Sequence, residues 1–319
     1  MELSIVGSMY QSAPYLREFH RRVCAAAAAV TAEYELVLVN DGSPDDSLAI
    51  ARELAADDPH VTIVDLSRNF GHHQAASAGL AHSSGDRVFL IDLDLEEQPE
   101  WLARFWTALD ASGADVIYGV LPRRRGGLVR RWSGGLFYKA FNLLSETAIP
   151  ENPCTVRLMT RRYVDALLSL RDASLFLAGN FAWTGFEQIA LPVETTARAG
   201  ASTYTLARRL RLFLDAVTSF TSYPLHAVFA VGAAISLLAG TFGAVLVGEK
   251  LLRPDSTLLG WSSVMASIWL LGGLTIGSVG LIGLYISRIF AETKHRPPYI
   301  VREVLRGSRR AAAEEAATS

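Results

Sequence analysis

Short aliphatic and β-branched runs recur along the first part of the chain, at 3–7, 35–39, 61–66, 87–91 and 115–119. Between them the apolar positions switch to helical spacing, the rhythm of successive β-α-β units. The pattern predicts a doubly wound α/β domain with a mainly parallel sheet over 1–204. Helix starts are predicted at Ser43-Pro44, with acidic residues in the first turn, and at Pro99. Ligands of such sheets bind beyond the carboxyl ends of the strands, so the residues closing each strand are searched first for chemistry.

Further along, the pattern changes. Over 205–224, Leu206, Leu210, Phe213, Val217 and Phe220 recur at helical spacing, with Arg208, Arg209, Arg211 and Asp215 on other faces. This predicts an amphipathic helix lying on a membrane or, alternatively, one packed on the globular domain. No charged residue occurs from 225 to 248, nor from 257 to 287. Roughly 20 apolar residues span a hydrocarbon core of about 30 Å, so transmembrane helices are expected at 225–248 and 258–287, joined as a hairpin. A pair of helices buried in a large soluble core is the alternative. Arg208, Arg209 and Arg211 precede the hairpin, and Arg288, Lys294, Arg296, Arg302 and Arg306 follow it. That bias places the catalytic domain and both termini in the cytoplasm, with 288–319 a basic tail disordered at its end. Gly272, Gly273, Gly277, Gly280 and Gly283 allow close helix approach. Two readings stand for them: a homo-oligomer through the membrane helices, or packing within the hairpin.

Half of the residues are hydrophobic, and 30 Lys and Arg against 32 Asp and Glu leave a net charge of −2. This argues against a dedicated nucleic-acid binder. The two cysteines, Cys24 in a helical pattern and Cys154 in an expected loop, have no pairing or metal-ligand spacing and suggest a reducing compartment. No signal-peptide pattern opens the sequence, which agrees with a cytoplasmic domain.

Two strand ends carry candidate chemistry. Val39-Asn40-Asp41-Gly42-Ser43 offers a carboxylate that could accept hydrogen bonds from a base or ribose, but Asp-Gly-Ser is also an ordinary turn. Asp92-Leu93-Asp94-Leu95-Glu96 closes a hydrophobic strand, and alternation turns Asp92 and Asp94 the same way. Paired carboxylates repel unless a cation lies between them. Oxygen ligands in this number suit Mg2+ or Mn2+, which keep part of their coordination for substrate phosphates. The segment from Arg123 through Arg124 to Arg130-Arg131 is rich in charge and glycine, as a lid over an anionic substrate would be, or a solvated loop. His20, His72 and His73 do not form a ligand set by spacing and are expected on helix surfaces or near a helix start.

Taken in order, 4–12, Asn40 to Asp46, Ser67-Arg68-Asn69-Phe70-Gly71, Ala78 to Asp86 and Asp92-Leu93-Asp94 resemble family 2 glycosyltransferases. Gly283 to Phe290 with Arg296-Pro297-Pro298-Tyr299 resembles the end of bacterial polyprenyl-phosphate glycosyltransferases, relatives of dolichol-phosphate mannosyltransferase. The similarity extends to about Val304. It implies a GT-A, Rossmann-like nucleotide-sugar domain followed by a membrane hairpin. It also implies a UDP- or GDP-sugar donor, a polyprenyl phosphate acceptor, and inverting transfer at the cytoplasmic face of the bacterial membrane. By resemblance, Ser8, Tyr10, Asp41, Arg68, Asn69, Gly71 and Asp92 line the nucleotide-sugar site. Asp92, Asp94 and Glu96 hold the metal, Glu96 standing where the family usually has glutamine. Asp94 and Arg157 are expected at the reacting centre, with Arg124 and Arg131 from the lid. The family commonly has Pro at Ser8, Glu at Ser12, Arg at Leu121, Asp at Thr155 and Lys at Thr203. With the aspartate missing at Thr155, either this subgroup works without it or the chain is a weakened enzyme. Two alternative functions stay open: transfer to a lipid-linked saccharide or another hydroxyl acceptor, which needs a base that Thr155 cannot supply, and a catalytically weakened membrane scaffold of the same fold.

Overall fold

The structure, a computed structural model, describes residues 1–121, 153–170, 177–194, 223–252 and 261–307; within the last two ranges some side chains lie outside the description. The expected amphipathic helix before Tyr223 and the Arg124 and Arg131 segment lie outside the described residues. The chain divides into two compact units: the N-terminal domain rejoined by the segment from Arg296 onward, and a helical unit containing residues 205–295.

The domain is built on one eight-stranded sheet in the order β7-β5-β6-β4-β1-β2-β3-β8. Its first four strands, β1 (Leu3–Met9), β2 (Tyr34–Asn40), β3 (Val61–Leu66) and β4 (Arg87–Leu90), form a continuous parallel block. Every residue of β2 and β3 is buried, because helices cover both faces and neither strand has a solvent side. On one face, α1 (Ala13–Ala28) buries Leu16, Phe19, Val23 and Ala27, a stripe three and four residues apart. These pack with residues of α2 (Ser47–Asp57) and α4 (Trp101–Ser112), including Ala51, Leu102 and Phe105. On the other face, Ala75, Ala76 and Leu80 of α3 (His72–Ala81) join Tyr163 and Val164 of α5 (Arg161–Ser169) and Phe181 of α6 (Leu177–Trp183).

The sheet is more mixed than expected. Between β4 and β5 (Val116–Val120) lies β6 (Pro153–Thr160), antiparallel to both, and β7 (Gln188–Pro192) runs parallel to β5. Cys154, expected in a loop, is in β6. The helix expected from Ser43-Pro44 begins at Ser47, because Asp45 holds the preceding turn: its carboxylate accepts from Ser47 N at 3.2 Å and from Ala13 N at 3.1 Å. The predicted tail also changes character. Residues Val301–Arg306 form β8, antiparallel to β3. Arg302 reaches Asp65 at 3.1 Å and donates to Ser67 O at 2.7 Å. The Asp65 carboxylate is buried and also accepts from Asn40 Nδ2 at 2.7 Å.

The helical unit shows α7 (Tyr223–Leu252) and α8 (Trp261–Thr293), both longer than the spans expected from the sequence. Among the described residues no helix is long and apolar enough to cross a membrane, so the two transmembrane spans are not established by the structure. What the structure does show is exposed apolar side chains along both helices, Phe229, Leu237 and Phe242 on α7 and Ile276, Val279 and Ile286 on α8 among them.

Removing the Arg302 guanidinium leaves the buried Asp65 with one partner fewer. Arg302→Ala is expected to cost about 1 kcal/mol, the scale of one hydrogen bond to a charged group on a half-exposed donor. The midpoint of chemical unfolding, followed by circular dichroism, measures it.

Candidate active site

The site forms where β1, β2, β3 and β4 end together. β2 stops at Asn40, and Asp41 turns its carboxylate toward the segment after β3: Phe70 N donates to Oδ1 at 2.7 Å and Gly71 N to Oδ2 at 3.0 Å. The Asn69 side chain returns the contact, donating to Asp41 O at 3.1 Å. Burial raises the Asp41 pKa, and these amide bonds oppose the rise. Gly42, at φ +59°, presses on the same segment: a Cβ there would lie 2.5 Å from Asn69 N and 2.6 Å from Arg68 C. Asp41, Asn69 and Gly71, expected to line one pocket, are thus brought together. Both carboxylate oxygens of Asp41 are engaged by backbone, so its contribution to a ligand runs through the shape of the 68–71 segment. Arg68 lies exposed beside it, its guanidinium 4.0 Å from the Phe70 ring centre.

At the end of β1, Tyr10 is half exposed. Gln11 adopts a left-handed conformation at φ 54°, and its amide donates to Ser43 Oγ at 2.7 Å. Ser12, just before α1, accepts Tyr10 N on its Oγ at 3.2 Å and donates its amide to Ser47 Oγ at 3.0 Å. These contacts bind the β1 end to the β2 end. Ser8 Oγ lies 3.0 Å from His72 Nδ1, and His72 Nε2 lies 3.6 Å from Asp92 Oδ1. When the Ser8 hydroxyl donates to Nδ1, the remaining N–H of the ring faces Asp92.

Past β4, the chain carries Asp92 and Asp94. Burial raises the Asp92 pKa; the Asp94 charge adds to the rise, while His72 and a hydrogen bond from Thr155 oppose it. β4 ends at Leu90, so Asp92 and Asp94 lie in the turn beyond it and the strand alternation expected to align them does not apply. Leu95 takes up φ 59°, rare for a bulky residue, and the turn lets Asp94 Oδ1 accept Glu96 N at 3.1 Å. Among the described residues, Asp92, Asp94 and Glu96 do not converge as a three-ligand group. The residues fit a hard divalent ion through two carboxylates, with the remaining coordination left to phosphate and water, and Glu96 does not complete the set.

Residues 4–168 match Glycosyl transferase family 2. The chain belongs to this family. Over 304 residues this glycosyltransferase is 45% identical to a Mycobacterium tuberculosis protein named among the glycosyltransferases, covering 95% of this chain and 88% of the relative. A bactoprenol glucosyl transferase of Shigella phage SfV is 32% identical, over 95% of this chain and 98% of the relative. An undecaprenyl-phosphate 4-deoxy-4-formamido-L-arabinose transferase of Klebsiella pneumoniae is 33% identical, over 98% and 97%. Among solved structures, a Pyrobaculum calidifontis mannosyltransferase in complex with GDP-Man and Mn2+ is similar at 18% identity and a TM-score of 0.47, covering 92% of this chain and 86% of that one.

Two residues of the glycosyltransferase site escaped the sequence reading. His72 does open a helix, as expected, yet its ring reaches both Ser8 and Asp92. Glu97 is buried, and its oxygens accept Asp92 N at 3.3 Å and Val156 N at 3.1 Å, stitching the loop after β4 to β6. Burial, then the Asp92 charge, pushes its carboxyl up to about 8. Neither had a readable signal, since each role depends on strands distant in sequence. Arg157, in β6, is buried: its Nε donates to Thr155 O at 3.1 Å, its Nη2 to Cys154 O at 3.3 Å, and its guanidinium sits 3.3 Å from the Phe181 ring centre. Burial lowers its pKa to about 10, so it stays charged at neutral pH. These contacts hold Arg157 beneath the loop, supporting the strand that carries Thr155. A cavity of about 350 Å3 lined by Gln98, Trp101, Arg104, Pro192 and Glu194 contains none of the expected site residues.

Gly42→Ala is expected to displace the 68–71 segment and to lower stability by about 1–2 kcal/mol, from a strained left-handed alanine plus a backbone clash. Nucleotide affinity measured by calorimetry falls with it. For Glu97, a folded-state pKa above the ordinary 4.5 means that the folded chain holds a proton that the unfolded chain releases. Its contribution to stability is full below pH 4.5 and declines as pH rises toward about 8. Melting temperatures of the metal-free protein across that window should fall less steeply in Glu97→Gln than in the parent.

Proposed function

We propose that this glycosyltransferase moves a sugar from a UDP- or GDP-sugar to a polyprenyl phosphate at the cytoplasmic face of a membrane, inverting C1, with Mg2+ or Mn2+ held by Asp92 and Asp94. The observation that carries the reading is Asp92 just past β4, its Oδ1 3.6 Å from His72 Nε2, with Asp94 two residues on, beside strand ends that can accept a nucleotide. A divalent ion bound there supplies positive charge against the departing nucleotide diphosphate. His72 and the Thr155 hydroxyl orient Asp92, and Asp41 sets the 68–71 segment against which the nucleotide lies. Arg124 and Arg131 remain the candidates for a lid that adds charge over the phosphates.

The acceptor follows from the names of the bactoprenol and undecaprenyl-phosphate relatives and from the chemistry beside Asp92. A phosphate acceptor is already anionic at neutral pH and needs no strong base, whereas a hydroxyl acceptor needs one. Thr155 supplies none. The carboxylate that the fold adds there, Glu97, has both oxygens on backbone amides. This favours phosphate over a hydroxyl acceptor.

Attachment to the bilayer through α7 and α8 belongs to the same proposal. It is supported by the charge-free runs 225–248 and 257–287 and by the exposed apolar side chains along both helices, which need a non-aqueous surround. A Cβ on Gly272, Gly273, Gly277, Gly280 or Gly283 would meet nothing within 4 Å. Self-association of α8 through these glycines is part of the same proposal. Replacing Gly273 and Gly277 by leucine is expected to shift detergent-solubilised protein to a smaller assembly in light scattering; an unchanged mass would sink that part.

The enzymatic reading is tested with purified full-length protein, Mn2+, a panel of nucleotide sugars and undecaprenyl phosphate. One donor is expected to yield a lipid-linked sugar, and Asp94→Ala to reduce the rate by roughly 100-fold or more. No transfer from any donor by the parent protein would overturn it.

A further inference from the structure

At the opposite end of the sheet a second constellation has no part in sugar transfer. His20 and Cys24 are one helical turn apart on α1 and share a face. Asp58 follows the end of α2, and its Oδ2 lies 2.9 Å from His20 Nε2 and 3.7 Å from Cys24 Sγ. The three ligand atoms lie within 4.8 Å of one another, the only such group of histidine, cysteine and acidic residues among the described residues. Each side chain is partly buried, leaving one side open to water.

The surroundings are those of a built site. The other Asp58 oxygen accepts His60 N at 2.9 Å and lies 2.7 Å from His60 Nδ1. The His60 ring stacks on Tyr34, centres 4.4 Å apart and planes 8° from parallel. The carboxylate is thus oriented by a histidine that an aromatic ring fixes in turn, the arrangement that commonly backs a metal-bound ligand. Tetrahedral zinc with Zn–N, Zn–O and Zn–S bonds of about 2.0 to 2.3 Å separates its ligand atoms by roughly 3.4 to 3.6 Å. The observed 2.9 and 3.7 Å fall on either side of that spacing.

We infer that His20 Nε2, Cys24 Sγ and Asp58 Oδ2 form a site for a zinc-class divalent cation, with His60 as the group that orients Asp58 and with a water completing the tetrahedron. Binding breaks the Cys24 S–H bond; the thiolate pair becomes the metal–sulfur bond and the proton leaves to solvent. Tyr34 opens β2 and His60 directly precedes β3, so the site lies at the amino ends of strands whose carboxyl ends carry Asp41 and the 68–71 segment. A strand of this length spans about 20 Å. The ion is therefore structural: it ties α1 to the turn between α2 and β3 and does not touch substrate. This ligand set, with a thiolate and an imidazole, selects a softer ion than the oxygen pair at Asp92 and Asp94.

Cobalt(II) reports the difference. Titrated into full-length protein carrying Asp92→Ala and Asp94→Ala, it is expected to produce a near-ultraviolet thiolate-to-cobalt band that zinc abolishes. The band should vanish in Cys24→Ser and persist when Cys154 is replaced by serine. His60→Ala should keep the band with affinity lowered about 10- to 100-fold. Zinc is expected to raise the melting temperature of the parent protein and of the Asp92/Asp94 variant, but not of His20→Gln, which leaves the thiol in place should Cys24→Ser fold poorly. Absence of a thiolate band in the parent protein, or an undiminished band in Cys24→Ser, overturns the assignment and leaves a hydrogen-bonded knot around Asp58.

Discussion

Holding two carboxylates two residues apart just past the end of a strand, both only partly exposed to water, is the constraint around which this end of the domain is arranged. Asp92 is unfavourable there on its own, since burial and the neighbouring Asp94 both favour its neutral form. The fold sets two compensating groups against it, the His72 ring at the start of α3 and Thr155 on β6. Glu97 then secures that loop to β6 by two backbone amides. These contacts make the pair a standing charge that a cation can neutralise without rearranging the loop.

The β2 end of the candidate site is organised by a different device. Asp41 spends its charge on the amides of Phe70 and Gly71, and Gly42 allows the two segments to touch backbone to backbone. The carboxylate acts as a template for a loop, which explains how a residue can matter to ligand binding while being almost wholly buried. Thr155 opposes the rise that burial imposes on the Asp92 pKa and so favours its charged form.

The parallel block was legible because β2 and β3 are covered on both faces and read as unbroken apolar runs, and α1 showed its buried stripe through Leu16, Phe19, Val23 and Ala27. Strand β6 was not: it begins with proline and carries Arg157, a charge whose burial is made tolerable by carbonyls and an aromatic ring that only the fold supplies. Strand β8 was missed because an edge strand with alternating charges, Val301 to Arg306, looks like a basic tail until its partner β3 is in place. The contacts of His72 with Ser8 and Asp92, and of Glu97 with Asp92 and Val156, join distant segments and left no pattern in the sequence. The Cys24 group was hidden for the same reason, its ligands coming from α1 and from the end of α2.

The pairing of β8 with β3 changes what the helical unit is in the architecture of the chain. In sequence, α7 and α8 lie between two strands of one sheet, β7 and β8, so they form an excursion inserted into the domain and not an appendage at its end. A shortened protein that simply stops after β7 would strip β3 of its neighbour and expose a row of unpaired peptide groups, an invitation to sticky edge-to-edge association. A version without α7 and α8 must instead splice the excursion out and retain the returning strand.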